Sequence, residues 1–237
     1  MSKKPEPPFT TALAFVERIA ETVYFRREGQ PEDRGPIFLH IEPSPDPNCR
    51  LVLITGDNAS GKSFLARLMK QAVNQFWDWE SMGISMAHRM KGYMASLFYG
   101  DESRHSTGVN SLRMVNNALK NLVDRHESKR LNMMSWDEPD IGLAESYQWA
   151  MGDMIAKTYR EMPESTRVMM VVTHSKPIAH VLSWLKPIHV RVGDTTSLQE
   201  FITRDEPMLL WEDIERLNER AHALHSAISK VENQKKD

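Results

Sequence analysis

The chain has 237 residues, 41% of them apolar, which suffices for a hydrophobic core in one large domain or two small ones. A formal net charge of -2 gives no global electrostatic case for nucleic-acid binding, although a local basic patch stays open. The single Cys49 excludes an intramolecular disulfide and suits a reducing compartment. No stretch is long and apolar enough to span a bilayer, and the N-terminus MSKKPEPPF lacks the apolar core of a signal peptide, so the expectation is a cytoplasmic chain without membrane insertion.

In chain order, residues 1–8 read as a loose tail and residues 11–25 carry apolar side chains at helical spacing, with VYF at the end equally able to begin a strand. PIFLHIEP and RLVLIT are short β-rich runs separated by the turn-forming SPDPNC, which predicts an N-terminal antiparallel hairpin. A helical pattern follows from Ser63 to about Trp79; residues 82–108 carry no clear period, and residues 110–129 read as a long polar helix. LNMMSW and RVMMVVTHS are apolar strand candidates on either side of a helical run over residues 141–162, and HVRVG and SLQEFIT read as later strands. Strands alternating with helices predict an α/β fold with a mainly parallel sheet flanked by helices over residues 9–206. Residues 207–237 form a C-terminal amphipathic helix, with Ile214, Leu217, Ala221, Leu224, Ile228 and Val231 at alternating spacings of three and four, so that they share one face. That face can dock on its own domain or form a seam for another helix.

The most informative stretch is LITGDNASGKSFLAR. GDNASGKS fits the pattern G-x-x-x-x-G-K-[ST] and lies between an apolar strand and a helical pattern, the context that a P-loop NTPase requires. Glycines Gly56 and Gly61 allow the backbone to turn its N–H groups into one concavity, to which Asn58, Ser60 and the helix-opening Phe64 contribute, and a helix N-terminus adds positive potential there. ATP phosphates suit such a nest, with Lys62 reaching the β- and γ-phosphates and the Ser63 hydroxyl on Mg2+. Downstream, LNMMSWDEPD puts Asp137 and Glu138 at the end of an apolar strand. There Asp137 can hold Mg2+ through water and Glu138 can act as general base on the attacking water.

Taken in order, GDNASGKS, STGVNS at residues 106–111, MMSWDEPDIGLAES and VVTHS with His174 resemble the motifs of ABC (ATP-binding cassette) ATPases over most of residues 38–203. The resemblance implies a P-loop NTPase fold and an ATP-driven homodimer in which each ATP is held between one subunit's phosphate loop and Ser106, Thr107 and Gly108 of the other. It also implies a GLAES segment lying across that interface and a γ-phosphate contact from His174. The signature stretch HSTGVN departs from the transporter form and is closer to that of some DNA-repair and chromosome-maintenance ATPases. Too little chain separates Lys62 from Ser106 for the full helical subdomain of transporter ATPases, so the helical insertion is reduced. No glutamine loop is placed, since Gln71 and Gln75 lie in the first helix and MGISMAHR contains none.

Tyr24 and Phe25 are candidates for stacking on adenine or for the core. RHESKR at residues 125–130 reads as a solvated helix end, and HRMKGYMASLFYG at residues 88–100 interleaves cations with aromatics, as a packed segment or a base-stacking one. The expected function is ATP binding and hydrolysis coupled to an unidentified partner protein or to a nucleic-acid transaction such as DNA repair or genome defence. The alternatives are the ATPase subunit of a membrane transporter, a nucleotide switch without turnover, and a small-molecule kinase.

Overall fold

The computed structural model describes residues 11–76, 79–85, 131–205 and 209–234. Thr11 opens α1 (Ala12–Ala20) by accepting the Ala14 N–H at 3.2 Å, and Phe15, Val16 and Ile19 bury the apolar face. The chain then runs through β1 (Phe25–Arg27), a 3-10 turn at Glu32–Arg34, β2 (Ile37–Glu42), β3 (Leu51–Gly56), α2 (Lys62–Phe76) and β4 (Glu80–Ser85). After the long segment outside the described residues come β5 (Asn132–Asp137), α3 (Glu145–Glu161), β6 (Thr166–Val172), α4 (Lys176–Ser183), β7 (Ile188–Val192), α5 (Leu198–Thr203) and α6 (Trp211–Gln234).

The described strands form a seven-stranded sheet in the order β1-β2-β7-β3-β6-β5-β4. The five strands from β7 to β4 are mutually parallel, β2 runs antiparallel to β7, and β1 is parallel to β2. The fold is therefore mixed α/β with a mostly parallel sheet flanked by helices. All six residues of β3 are buried, as are all five of β7 and the first five of β5, which is the continuous apolar burial expected of strands covered on both faces. α2 packs across β3, β4, β5 and β6, while α3 packs on α4. Gly152 permits that last approach, because a Cβ there would stand 3.0 Å from Val181 Cβ.

Two sequence expectations are corrected. The β2 and β3 runs do not form a hairpin, because β7 lies between them and pairs with both. A strand as apolar as β3 needs a neighbour on each edge, and β6 and β7 supply them. SLQEFIT is a helix, not a strand. Ser197 and Glu200 form a reciprocal capping box at the start of α5, and that local hydrogen bonding outweighs the strand-like composition.

Parallel pairing brings several strand ends to one edge. Asp137 is in register with Val172, Ile54 with both Val172 and Val190, and Gly56 with Val192. The loops that follow β3, β5, β6 and β7 consequently emerge side by side, as they do at ligand-binding edges of open α/β sheets. Among the described residues no helix is long and apolar enough to cross a membrane.

Candidate functional site

The loop between β3 and α2 has backbone conformations that side chains disfavour, with φ of 156° at Gly56, 60° at Ala59 and 105° at Gly61. A Cβ on Gly56 would stand 2.5 Å from the Val192 carbonyl oxygen and 2.7 Å from Ser60 Oγ, so only glycine lets the chain leave β3 this close to β7. Lys62, 4% exposed, folds back and donates from Nζ to the Asp57 carbonyl oxygen at 2.8 Å. Burial pushes its ammonium down to about 8, against the pull of the Glu138 and Asp57 charges. The helix ladder starts with Leu65 N–H to Gly61 O at 3.0 Å, so the N–H groups of Lys62, Ser63 and Phe64 precede it at the positive end of α2. Ser60 Oγ is buried with no hydrogen-bond partner among the described residues, an acceptor and donor left for something else to satisfy.

Two networks fix this loop on the sheet. Thr55 Oγ1 is 2.8 Å from His189 Nε2, and His189 Nδ1 is 3.2 Å from Glu42 Oε1. The hydroxyl–imidazole–carboxylate series has the composition of a nucleophilic triad, but Thr55 is fully buried and His189 is 1% exposed, so it pins the end of β3 to β7 and presents no nucleophile. In the second network the fully buried Arg191 donates from Nη2 to Asp57 Oδ1 at 2.8 Å and from Nε to Asp194 Oδ1 at 2.8 Å, with its guanidinium 5.7 Å over the Phe201 ring. Arg204 Nη2 reaches the same Asp57 oxygen at 3.4 Å. Sequence reasoning missed Arg191 and Asp194, although a cation inside the apolar run of β7 was a signal that a counter-charge lay nearby.

At the ends of β5 and β6 the acidic and imidazole groups assemble. Asp137 pairs with Lys70 Nζ of α2 at 3.6 Å. The next residue, Glu138, takes a left-handed φ of 51° while its N–H donates to Val172 O at 2.9 Å, a costly conformation for a side chain other than glycine. Glu138 Oε1 is 3.7 Å from His174 Nε2, and both side chains are about one third exposed. Burial and then the Asp137 charge hold the Glu138 carboxyl above its usual range. Burial, followed by the Lys62 charge, pushes His174 down to about 4, so its imidazole is neutral at neutral pH.

Beneath this pair, Thr173 Oγ1 donates to Asp140 Oδ1 at 2.6 Å and accepts the Ser175 N–H at 2.9 Å. Ser175 Oγ in turn donates to Gln148 Oε1 at 2.7 Å. The loop after β5 is thereby tied to the loop after β6. Asp140, Thr173, Ser175 and Gln148 were not legible in the sequence as site residues.

One cavity of about 320 Å³ unites much of this. It is lined by residues 58–64, Arg67, Glu138 and His174 on the sheet side and by Ala221, Leu224, His225 and Ile228 of α6 on the other. Of the residues singled out from sequence, Asn58, Ser60, Gly61, Lys62, Ser63, Phe64, Glu138 and His174 come together there. Gly56 shapes the loop from below, and Asp137 stands beside Lys70 outside the lining. Ser106, Thr107 and Gly108, with the rest of residues 86–130, lie outside the described residues. Phe25 is fully buried core, whereas Tyr24 is half-buried and meets the cavity-lining Phe64 edge-on at 5.1 Å.

Among the described residues no group of three or more His, Cys, Asp or Glu side chains is placed to hold a metal ion. The hydroxyl of Ser63 and the carboxylate of Asp137 are hard oxygen donors of the kind Mg2+ prefers when substrate phosphates and water complete its shell. A scan of the sequence against protein-family models finds no match, and neither does a search of curated proteins.

Proposed function

We propose that the chain is an ABC-type P-loop ATPase that binds Mg-ATP on the β3–α2 loop and hydrolyses it with Glu138 as base. The observation that carries this reading is that the glycine-bent loop, the buried Lys62, Glu138 and His174 line one and the same cavity.

Each group has a role its environment suits. The N–H groups at the start of α2 and the Lys62 ammonium offer donors and positive potential to phosphate oxygens. Glu138, held above its usual pKa by burial, is a stronger proton acceptor than an exposed carboxylate and takes the proton of the attacking water. Neutral His174 offers Nε2 to a γ-phosphate oxygen and adds no charge that would compete with Lys62. Ser63 and, through water, Asp137 would hold Mg2+, which neutralises charge on the β- and γ-phosphate oxygens when bound. For Asp137 to do so it must loosen its pairing with Lys70.

The further proposal, from the sequence resemblance, is that Ser106, Thr107 and Gly108 of a second copy complete the site, giving an ATP-dependent homodimer that acts on a partner protein or a nucleic acid. Titration calorimetry of Mg-ATP into the wild type and Lys62→Ala tests the binding step. Saturable binding by the wild type that disappears in the variant is expected; equal binding by both would contradict the assignment.

A further inference from the structure

The C-terminal helix α6 sits on the cavity it has no sequence motif to explain. Ala221, Leu224, His225 and Ile228 line the cavity face opposite the β3–α2 loop, and their spacing puts them on one side of the helix. The same side carries the helix's attachment: Ile228 is its one buried residue among those described, and Leu224 packs half-buried against the core. The rest of this 24-residue helix, about 36 Å long, is largely exposed, including Trp211 at 68% and Ile214 at 47%. The adjoining Leu209 and Leu210 are exposed as well.

We infer that α6 is a displaceable cover over the phosphate-binding loop, seated by Leu224 and Ile228, which competes with nucleotide and with a second subunit for the cavity mouth. The inference rests on the nucleotide reading of the same site. On the α6 face triphosphate oxygens would meet the methyl groups of Ala221, Leu224 and Ile228, with the exposed His225 as that face's one polar side chain, so most hydrogen bonds to water would go unreplaced there and full occupancy of the loop opposes the present seat of the helix. The cavity left under the helix is at the small end of ligand pockets, which run from about 300 to 1,000 Å³. Two apolar side chains are a weak seat for so long a helix, and a weak seat is what a cover that must leave requires. Residues of a second copy that reach the loop would meet the same obstruction. The covered form is therefore the resting state, and ATP, once bound, releases α6 and uncovers the face on which the second copy docks.

The test uses the full chain carrying Leu224→Ser with Ile228→Ser, and separately Ala221→Pro, an exposed site where the helix is broken without loss of core and without adding charge to the cavity. Amide hydrogen exchange is measured first without nucleotide. Residues 57–64 are expected to exchange at least fivefold faster in both variants than in the wild type; unchanged exchange in Ala221→Pro would overturn the cover. Mg-ATP titration follows, with a tenfold or greater gain in affinity expected for the variants and faster exchange of residues 211–234 when ATP is added to the wild type. Equal or weaker ATP binding by the variants, with binding by the wild type intact, would also overturn it, since α6 would then be indifferent or part of the site. Faster loop exchange in the variants with no ATP binding by any form would uphold the cover and reject the nucleotide reading.

Discussion

His174 Nε2 lies 3.7 Å from Glu138 Oε1, too far for a hydrogen bond and close enough for one oxygen atom to bridge the two. A water held there would donate one hydrogen bond to the Glu138 carboxyl and make a second to the neutral His174 imidazole. Glu138→Gln keeps the shape and removes the base, so it is expected to retain Mg-ATP and to accumulate as the closed dimer. Light scattering should give a monomer mass without nucleotide and a dimer mass with Mg-ATP. A mass indifferent to ATP would remove the head-to-tail dimer from the account.

Lys62 gives a pH dependence with a definite sign. Its ammonium is held at about 8 in the free protein, and anionic phosphates beside it favour the charged form, so its pKa rises on binding. Below pH 8 the group is charged in both states and contributes no pH dependence. Above pH 8 binding takes up a proton, and affinity for Mg-ATP should fall by up to about tenfold per pH unit. Calorimetry between pH 7.5 and 9.5 in buffers of different ionisation enthalpy reads both the fall and the proton uptake.

His174 contributes to stability in the opposite pH range. Its folded value of about 4 lies below the ordinary 6.5, so between these values the unfolded chain binds more protons. The contribution is complete above pH 6.5 and is lost as pH falls toward 4. Urea midpoints of His174→Gln measured from pH 7 to pH 4 should decline less steeply than those of the wild type. Parallel declines would place the imidazole in solvent.

Asp57 is a negative charge inside the glycine-bent loop, and Arg191 offsets it from a fully buried position. Arg191→Leu leaves the half-exposed Asp57 and Asp194 without their shared partner and should destabilise the fold by about 1–2 kcal/mol, because water can still solvate both carboxylates. Arg204→Ala removes an exposed pair and should cost about 0–1 kcal/mol. Adding Asp57→Asn to Arg191→Leu should recover part of the loss. Denaturant unfolding at pH 7 measures the wild type, Arg204→Ala, Arg191→Leu, Asp57→Asn and the Arg191→Leu/Asp57→Asn double variant, and strict additivity of the last three would show that the two side chains do not interact.

Local signals were legible where local forces decide. The strand–glycine–lysine–helix sequence around Gly56 and Lys62 and the apolar runs of β3, β5 and β6 appear as read, and Glu138 and His174 share a cavity with Lys62. SLQEFIT was also a local matter: Ser197 and Glu200 carried the capping signal, and strand-like composition obscured it. Other features depend on partners distant in sequence. Nothing in PIFLHIEP or RLVLIT announces that β7, about 140 residues further on, inserts between them. The clasp of Arg191 on Asp57 spans 134 positions. The apolar stripe of α6 was visible, but periodicity tells which face is sticky and not which surface receives it.

The measurement that tests the central claim most directly is steady-state phosphate release from Mg-ATP by the wild type and Glu138→Gln, with nucleotide binding measured on the same samples. The account predicts turnover by the wild type and a loss of about 100-fold or more in Glu138→Gln at undiminished binding. Equal turnover by the two proteins, or none by either while ATP binds, would contradict hydrolysis by this site.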